Sequence, residues 1–151
     1  MAWMLALATV VLDQLSKAWV MAHLGEGQAQ TLVPGLLDLR LVHNTGAAFS
    51  LLSGSTQLLA LVSGLVSALL VWILISRPPE RLRPALALGW LLGGAVGNGL
   101  DRWRLGSVVD VLALVPVSFP VFNLADVAIN LAVVAYLLDL LADRTPPSSH
   151  D

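Results

Sequence analysis

The sequence predicts an all-α integral membrane protein, a four-transmembrane-helix bundle with a small strand-rich platform on its outer face. Three observations predict it. The 151 residues are 57% hydrophobic and only 12% charged, far from the balance of a water-soluble domain. The apolar residues gather into four stretches of roughly 20 residues, the length that crosses a ~30 Å hydrocarbon core. Between the first two stretches, Leu37, Leu39 and Leu41 alternate with Asp38, Arg40 and Val42, a period of two that gives a strand one apolar face.

The first stretch runs from Ala2 to His23. It has no basic leading segment, Asp13 and Lys17 interrupt it, and no small-residue cleavage site follows, so it is expected to be a retained span rather than a secretory leader. Pro34-Gly35 turns the chain into the predicted strand. The second and third spans are predicted over Thr56 to Ser76 and Ala85 to Trp103. In the third, Gly89, Gly93 and Gly97 recur every four residues, which lets another helix approach closely, and Asp101 continues that stripe toward protein rather than lipid. Val108-Val109 and Val111 read as a second extended piece, and Leu124 to Ala142 as the fourth span. The chain reads as one membrane-embedded domain over 1–151, with 144–151 as a disordered cytoplasmic tail too poor in apolar residues to fold. Arg77, Arg81 and Arg83 in the link between spans two and three, with Arg144 after span four, place those connections and both termini in the cytoplasm by the positive-inside rule. Segments 24–55 and 104–123 then lie outside.

Composition excludes several kinds of chemistry. With no cysteine there is no disulfide, thiol nucleophile or thiolate metal site, and three isolated histidines lack metal-ligand spacing. A net charge of −2 with scattered basic residues gives no footprint for nucleic acid. Carboxylates, amides and hydroxyls remain, with no metal and no cofactor expected.

Ionisable groups at membrane depth are costly and mark candidate sites. Here they collect on the outer side: Asp13, Gln14 and Lys17 in span one, Asn44 in the first outer segment, Asn98, Asp101 and Arg102 at the end of span three, Asp110 beyond it, and Asn123 and Asp126 at the start of span four. Asp13 and Lys17 stand four apart with the acid first, the favourable order for a helical ion pair. That pairing reads equally as self-neutralisation or as a substrate-side role. Asn123 and Asp126 have the spacing of a capping box, which by itself accounts for both residues. It does not account for Asp110. By itself that residue reads as an ordinary solvated loop acid, a reading weakened because Asp101, Asp110 and Asp126 must crowd one outer surface of a small bundle. Two carboxylates crowded at the edge of a low-dielectric region share a proton, so that one acts as acid and the other as base, the arrangement of aspartic proteases.

Asp13-Gln14-Leu15-Ser16-Lys17, Asn44-Thr45-Gly46-Ala47-Ala48-Phe49, Gly93 to Asn98 with Asp101-Arg102, Val108-Val109-Asp110 and Phe122-Asn123-Leu124-Ala125-Asp126 follow one another in order over residues 13–126. This ordered set resembles the signature blocks of the lipoprotein signal peptidases, also called type II signal peptidases. The resemblance implies an intramembrane aspartyl endopeptidase of the bacterial inner membrane, with its site toward the periplasm. It implies as substrates the signal peptides of prolipoproteins, cut before a diacylglyceryl-modified cysteine, and, beyond membrane lipids, a chain acting as a monomer. Carried over block by block, it implies Asp110 and Asp126 as the catalytic pair. Asn98, Asp101, Arg102 and Asn123 line or brace the site, Asn44 and the Gly46 to Phe49 stretch receive substrate, and Asp13, Gln14 and Lys17 give support from span one. Gly99-Leu100 and Val111 depart from the family's more usual aliphatic and Phe residues without removing a titrating group.

Two other readings compete. A small proton-coupled transporter or channel would space ionisable residues through the full depth of the membrane, whereas the inner half holds only Asp139, with Arg144 as the expected partner. A non-enzymatic subunit would use polar groups for helix association, which gives no reason for two free carboxylates at the outer interface.

Overall fold

The computed structural model describes residues 1–46 and 55–143, and within them the four apolar runs become four helices. These are α1 (Ala2–His23), α2 (Thr56–Ser76), α3 (Leu82–Leu105) and α4 (Leu124–Asp143), interleaved with strands β1 (Ala29–Val33), β2 (Leu37–Asn44) and β3 (Val108–Leu114). The predicted bounds of α1 and α2 are met, and α3 runs beyond the predicted stretch at both ends. Residues 47–49 of the Gly46 to Phe49 stretch, the 144–151 tail and Arg144 lie outside the described residues.

The surface inverts that of a water-soluble bundle. Leu7, Leu15, Leu65, Leu69, Leu137 and Leu141 point outward, whereas Asp13, Lys17 and Asp101 are buried. Among the described residues three helices are long and apolar enough to cross a membrane: α1, α2 and α4. The expectation of four spans therefore holds only in part by composition. α3 is longer than any of them, but Arg83, Asn98, Asp101, Arg102, Arg104 and its glycines dilute its apolar character.

α3 is the hub, packing against α1, α2 and α4. Small residues make that possible. A Cβ added at Gly93 would lie 2.5 Å from Thr9 Cβ on α1, and one at Gly94 would lie 2.6 Å from the Ala125 carbonyl oxygen on α4. The predicted stripe therefore docks α1, while the adjacent Gly94 docks a second helix. At the end of the bundle remote from the sheet, termed the inner end, Ala2, Ala6, Leu70, Leu74 and Leu92 form an apolar core. Asp139 lies 3.3 Å from Arg81 in the link before α3, while its expected partner Arg144 falls outside the described residues.

The predicted strand-rich platform is present as an antiparallel sheet of order β1-β2-β3, so the all-α label holds only in part. β1 has every residue exposed, so no alternation announced it. Gly106, at φ 73°, ends α3 in the left-handed conformation and turns the chain into β3. β2 pairs with β3 so that Val42 faces Asp110 and Asn44 faces Val108, with an irregularity between Leu39 and Val42. Val20 of α1 packs with Val109 and Val111, seating the sheet on the opposite end of the bundle, termed the outer end. Phe122 bridges to Leu112, which sets the entry of α4 beside β3.

Candidate active site

Helical spacing places Asp13, Gln14 and Lys17 on α1 facing the outer end of α3. Lys17 Nζ lies 2.8 Å from Asp13 Oδ2 and 2.7 Å from Asp101 Oδ2, and it donates to Asn98 Oδ1 at 3.2 Å. Three ammonium donors thus meet three acceptors. The Asp13–Lys17 pair does form, but Lys17 is shared with a second carboxylate, which residue spacing could not indicate. Gln14 Nε2 donates to Asp101 Oδ1 at 2.8 Å. Asp101 Oδ2 accepts the Val109 N–H at 3.1 Å, tying α3 to β3. Asp13 Oδ1 accepts the Ala125 N–H at 3.0 Å, so α1 supplies a cap to α4.

The capping box at the start of α4 is present. Asn123 Oδ1 accepts the Asp126 N–H at 2.9 Å, and Asp126 Oδ2 accepts the Asn123 N–H at 3.2 Å. The same residues do more than cap. Asn123 Nδ2 donates to Asp110 Oδ1 at 2.7 Å, and Asn98 Nδ2 donates to Asp126 Oδ1 at 2.8 Å. Asn44 Nδ2 donates to Asp110 Oδ2 at 3.0 Å, its own Oδ1 accepting the Gly46 N–H at 2.9 Å. All four oxygens of Asp110 and Asp126 therefore accept an N–H, from donors on β2, on α3 and at the head of α4. Arg102 closes the arrangement, donating to the carbonyls of Gly46 at 3.2 Å and Asn98 at 3.3 Å.

Every described candidate residue named from the sequence thus falls into one connected network. What sequence reasoning missed is main chain: the Val109 carbonyl accepts from Asn123 at 3.4 Å, and its N–H and that of Ala125 serve Asp101 and Asp13. No side-chain signal marks such groups.

Asp110 is 2% exposed. Burial pushes its carboxyl up to about 6; the Asn44 hydrogen bond pulls it down, the nearby Asp126 charge pushes it up, and Asn123 and Lys17 pull it down. A carboxyl held there is partly protonated near neutral pH, beside a second carboxylate on the same amide scaffold. Asp110 and Asp126 face one cavity of about 560 Å³, into which Asn44, Asn98 and Arg102 also project. Such a pair supplies a proton donor and a proton acceptor to one bound water and one carbonyl. Among the described residues no group of three His, Cys, Asp or Glu is placed to hold a metal ion.

A family model described as signal peptidase (SPase) II matches residues 5–142. The chain belongs to the signal peptidase II family. It is 51% identical over 137 residues to the lipoprotein signal peptidase of Parasynechococcus marenigrum strain WH8102, covering 90% of this chain and 86% of that one. It is 52% identical over 145 residues to that of Synechococcus sp. strain RCC307, covering 94% and 96%. A solved bacterial membrane enzyme superposes with a TM-score of 0.89 at 27% identity, covering 99% of this chain and 93% of that one. Membership makes this chain a peptidase, and its apolar helices fit a multi-pass membrane protein. The transporter reading is not favoured.

Proposed function

We propose that this signal peptidase II is an aspartyl endopeptidase that removes the signal peptide from bacterial prolipoproteins, cutting before the diacylglyceryl-modified cysteine. Asp110 and Asp126 are the catalytic pair, and no cofactor takes part. One observation carries the reading: two carboxylates, with all four oxygens fixed by amide N–H groups, face one cavity at the outer end of the bundle. α3 is the fourth span, enclosed by the three apolar helices, and the arginine-bearing 77–83 link lies in the cytoplasm with both termini. The site then opens toward the periplasmic side of the inner membrane. The chain works as a single domain and as a monomer.

Asp110, whose burial favours the protonated form, is the acid, and Asp126 the base. Asp126 takes a proton from water as its oxygen bonds to the scissile carbonyl carbon, and Asp110 donates its proton to the carbonyl oxygen. The resulting tetrahedral diol collapses when the C–N bond breaks. The departing amine takes the proton held by Asp126, and a diol hydroxyl returns one to Asp110, so the pair ends as it began. Asn98, Asn123 and Asn44 hold the carboxylates in place, while Lys17, Asp13, Asp101 and Gln14 brace Asn98 and the head of α4.

The test is incubation of purified Asp110→Asn and Asp126→Asn variants with a lipid-modified prolipoprotein, scored by release of the signal peptide. Asparagine keeps the shape of each side chain but cannot take up water's proton or hold the shared one, so neither variant is expected to cleave while both insert and fold. A folded Asp126→Asn chain that cleaves near the wild-type rate would return that residue to the role of cap alone.

A further inference from the structure

The cavity beside Asp110 and Asp126 extends inward between α2 and α4, with Leu91 and Ala95 of α3 as its back wall and Val66 and Ile129 on its sides. Two polar side chains interrupt these apolar walls, Ser63 on α2 and Asn130 on α4. Ser63 is seven residues beyond Thr56 and Asn130 six beyond Leu124, which puts each about 10 Å from the outer end of its helix. Asn130 Nδ2 donates to the Asp126 carbonyl at 2.8 Å, one turn back on its own helix. Its Oδ1 and second N–H, and the Ser63 hydroxyl, have no partner among the described residues. Polar groups at membrane depth cost free energy unless they are satisfied.

We propose that Ser63 and Asn130 form a docking pair for the main chain of the substrate, gripping the residues just before the scissile bond in extended form. This inference rests on the peptidase reading and specifies how the same site takes its substrate. Attack on a peptide carbonyl requires that the carbonyl be freed from a helix. Non-helical backbone is tolerated at membrane depth only where protein groups or water satisfy it. A carboxamide offers a donor and an acceptor at once, which matches a peptide group. A hydroxyl on the facing helix adds a further partner. Residues before the scissile bond belong to the segment that traverses the bilayer, so they lie deeper than the carboxylates, where Ser63 and Asn130 are found. The acyl chains of the modified cysteine also reach inward, but they have nothing to offer an amide or a hydroxyl.

The experiment uses synthetic diacylglyceryl lipopeptides in which single main-chain amides before the scissile bond are replaced by esters, each removing one N–H. Cleavage is compared for the wild type, Asn130→Leu and Ser63→Ala, with thermal unfolding followed in parallel. Asn130→Leu is expected to lower kcat/KM about tenfold, the size of one hydrogen bond to an otherwise unsatisfied group, without lowering Tm. One ester position should slow the wild type about tenfold yet leave Asn130→Leu unaffected, and Ser63→Ala should lose its penalty at the same or a neighbouring position. Equal ester penalties in all three proteins would overturn the docking pair, as would a penalty for shortened acyl chains that vanishes in Asn130→Leu while the ester penalties persist. If the wild type cleaves no lipopeptide, the peptidase reading fails first and takes the docking pair with it.

Discussion

The inner and outer halves of the α1–α3 interface are built on the same helical spacing and held by opposite means. Toward the inner end, Ala2 and Ala6 of α1 pack with Leu92 in an apolar core, and Gly89 and Gly93 let the backbones approach. Toward the outer end, Asp13 and Lys17 occupy the corresponding face and meet Gly97, Asn98 and Asp101. Small residues on α3 permit both halves, since a Cβ at Gly97 would stand 2.8 Å from Asp13 Oδ2, much as one at Gly93 would crowd Thr9. The inner half is limited by volume and the outer half by partners. A buried ionic cluster is a poor source of net stability, but it tolerates only the geometry that satisfies every member. The candidate carboxylates lie at the end where geometry is held most tightly.

Substitutions separate the two modes. The largest effect is expected for Lys17→Ala, which leaves Asp13 and Asp101 buried without their shared cation and should cost about 3–5 kcal/mol, read from thermal unfolding in detergent. Lys17→Met combined with Asp13→Asn and Asp101→Asn should recover most of that loss. A Lys17→Ala protein that unfolds at the wild-type temperature would show that water reaches the cluster and that the outer half is not partner-limited.

Next comes Gly93→Ala, where the new methyl would meet Thr9 Cβ and the Ala6 carbonyl oxygen at 2.9 Å or less, for an expected loss of about 1–3 kcal/mol. Gly64 on α2 is the control, because nothing lies within 4 Å of an added Cβ there. Gly64→Ala should be neutral or stabilising by up to ~1 kcal/mol. Equal outcomes at the two sites would remove the volume limit from the inner half.

The remaining predictions concern pH. Because Asp110 is raised from 3.8 to about 6, the folded state holds its proton more tightly than the unfolded state does. Stability should therefore fall as pH rises from about 4 to about 6 and level off above that. In the free enzyme, kcat/KM should decline along an alkaline limb that begins near pH 6 as the shared proton is lost. Asn44→Ala removes a hydrogen bond that lowers the Asp110 value, so it should move that limb to higher pH. A limb that stays in place would mean that Asp110 does not set it.

Much of this was legible before any coordinates, and the reasons differ by residue. The bounds of α1 and α2 follow from hydropathy alone, and the Asn123–Asp126 box from spacing, because both are local. The stripe of Gly89, Gly93 and Gly97 announced one docked helix, whereas Gly94 gained meaning only once α4 lay against it. The contact of Asp13 with Ala125, 112 residues away, and the sharing of Lys17 with Asp101 depend on how three helices meet, which no local pattern encodes. β1 escaped notice because an edge strand exposed on both faces leaves no periodicity to read.

The cap that α1 provides to α4 bears on how a cell makes a protease safely. Asp126 belongs to α4, which follows every other described element along the chain, and its two oxygens are held by Asn98 from α3 and by the Asn123 main chain. Asp110 in turn depends on Asn44 from β2 and on Asn123. On the proposed assignment, a nascent chain that still lacks α4 has Asp110 without Asp126, so it would not hydrolyse anything nearby. Hydrolytic competence would then arrive only once α4 docks and the Ala125 N–H meets Asp13. On that assignment, a copy truncated before α4 would be inert by construction.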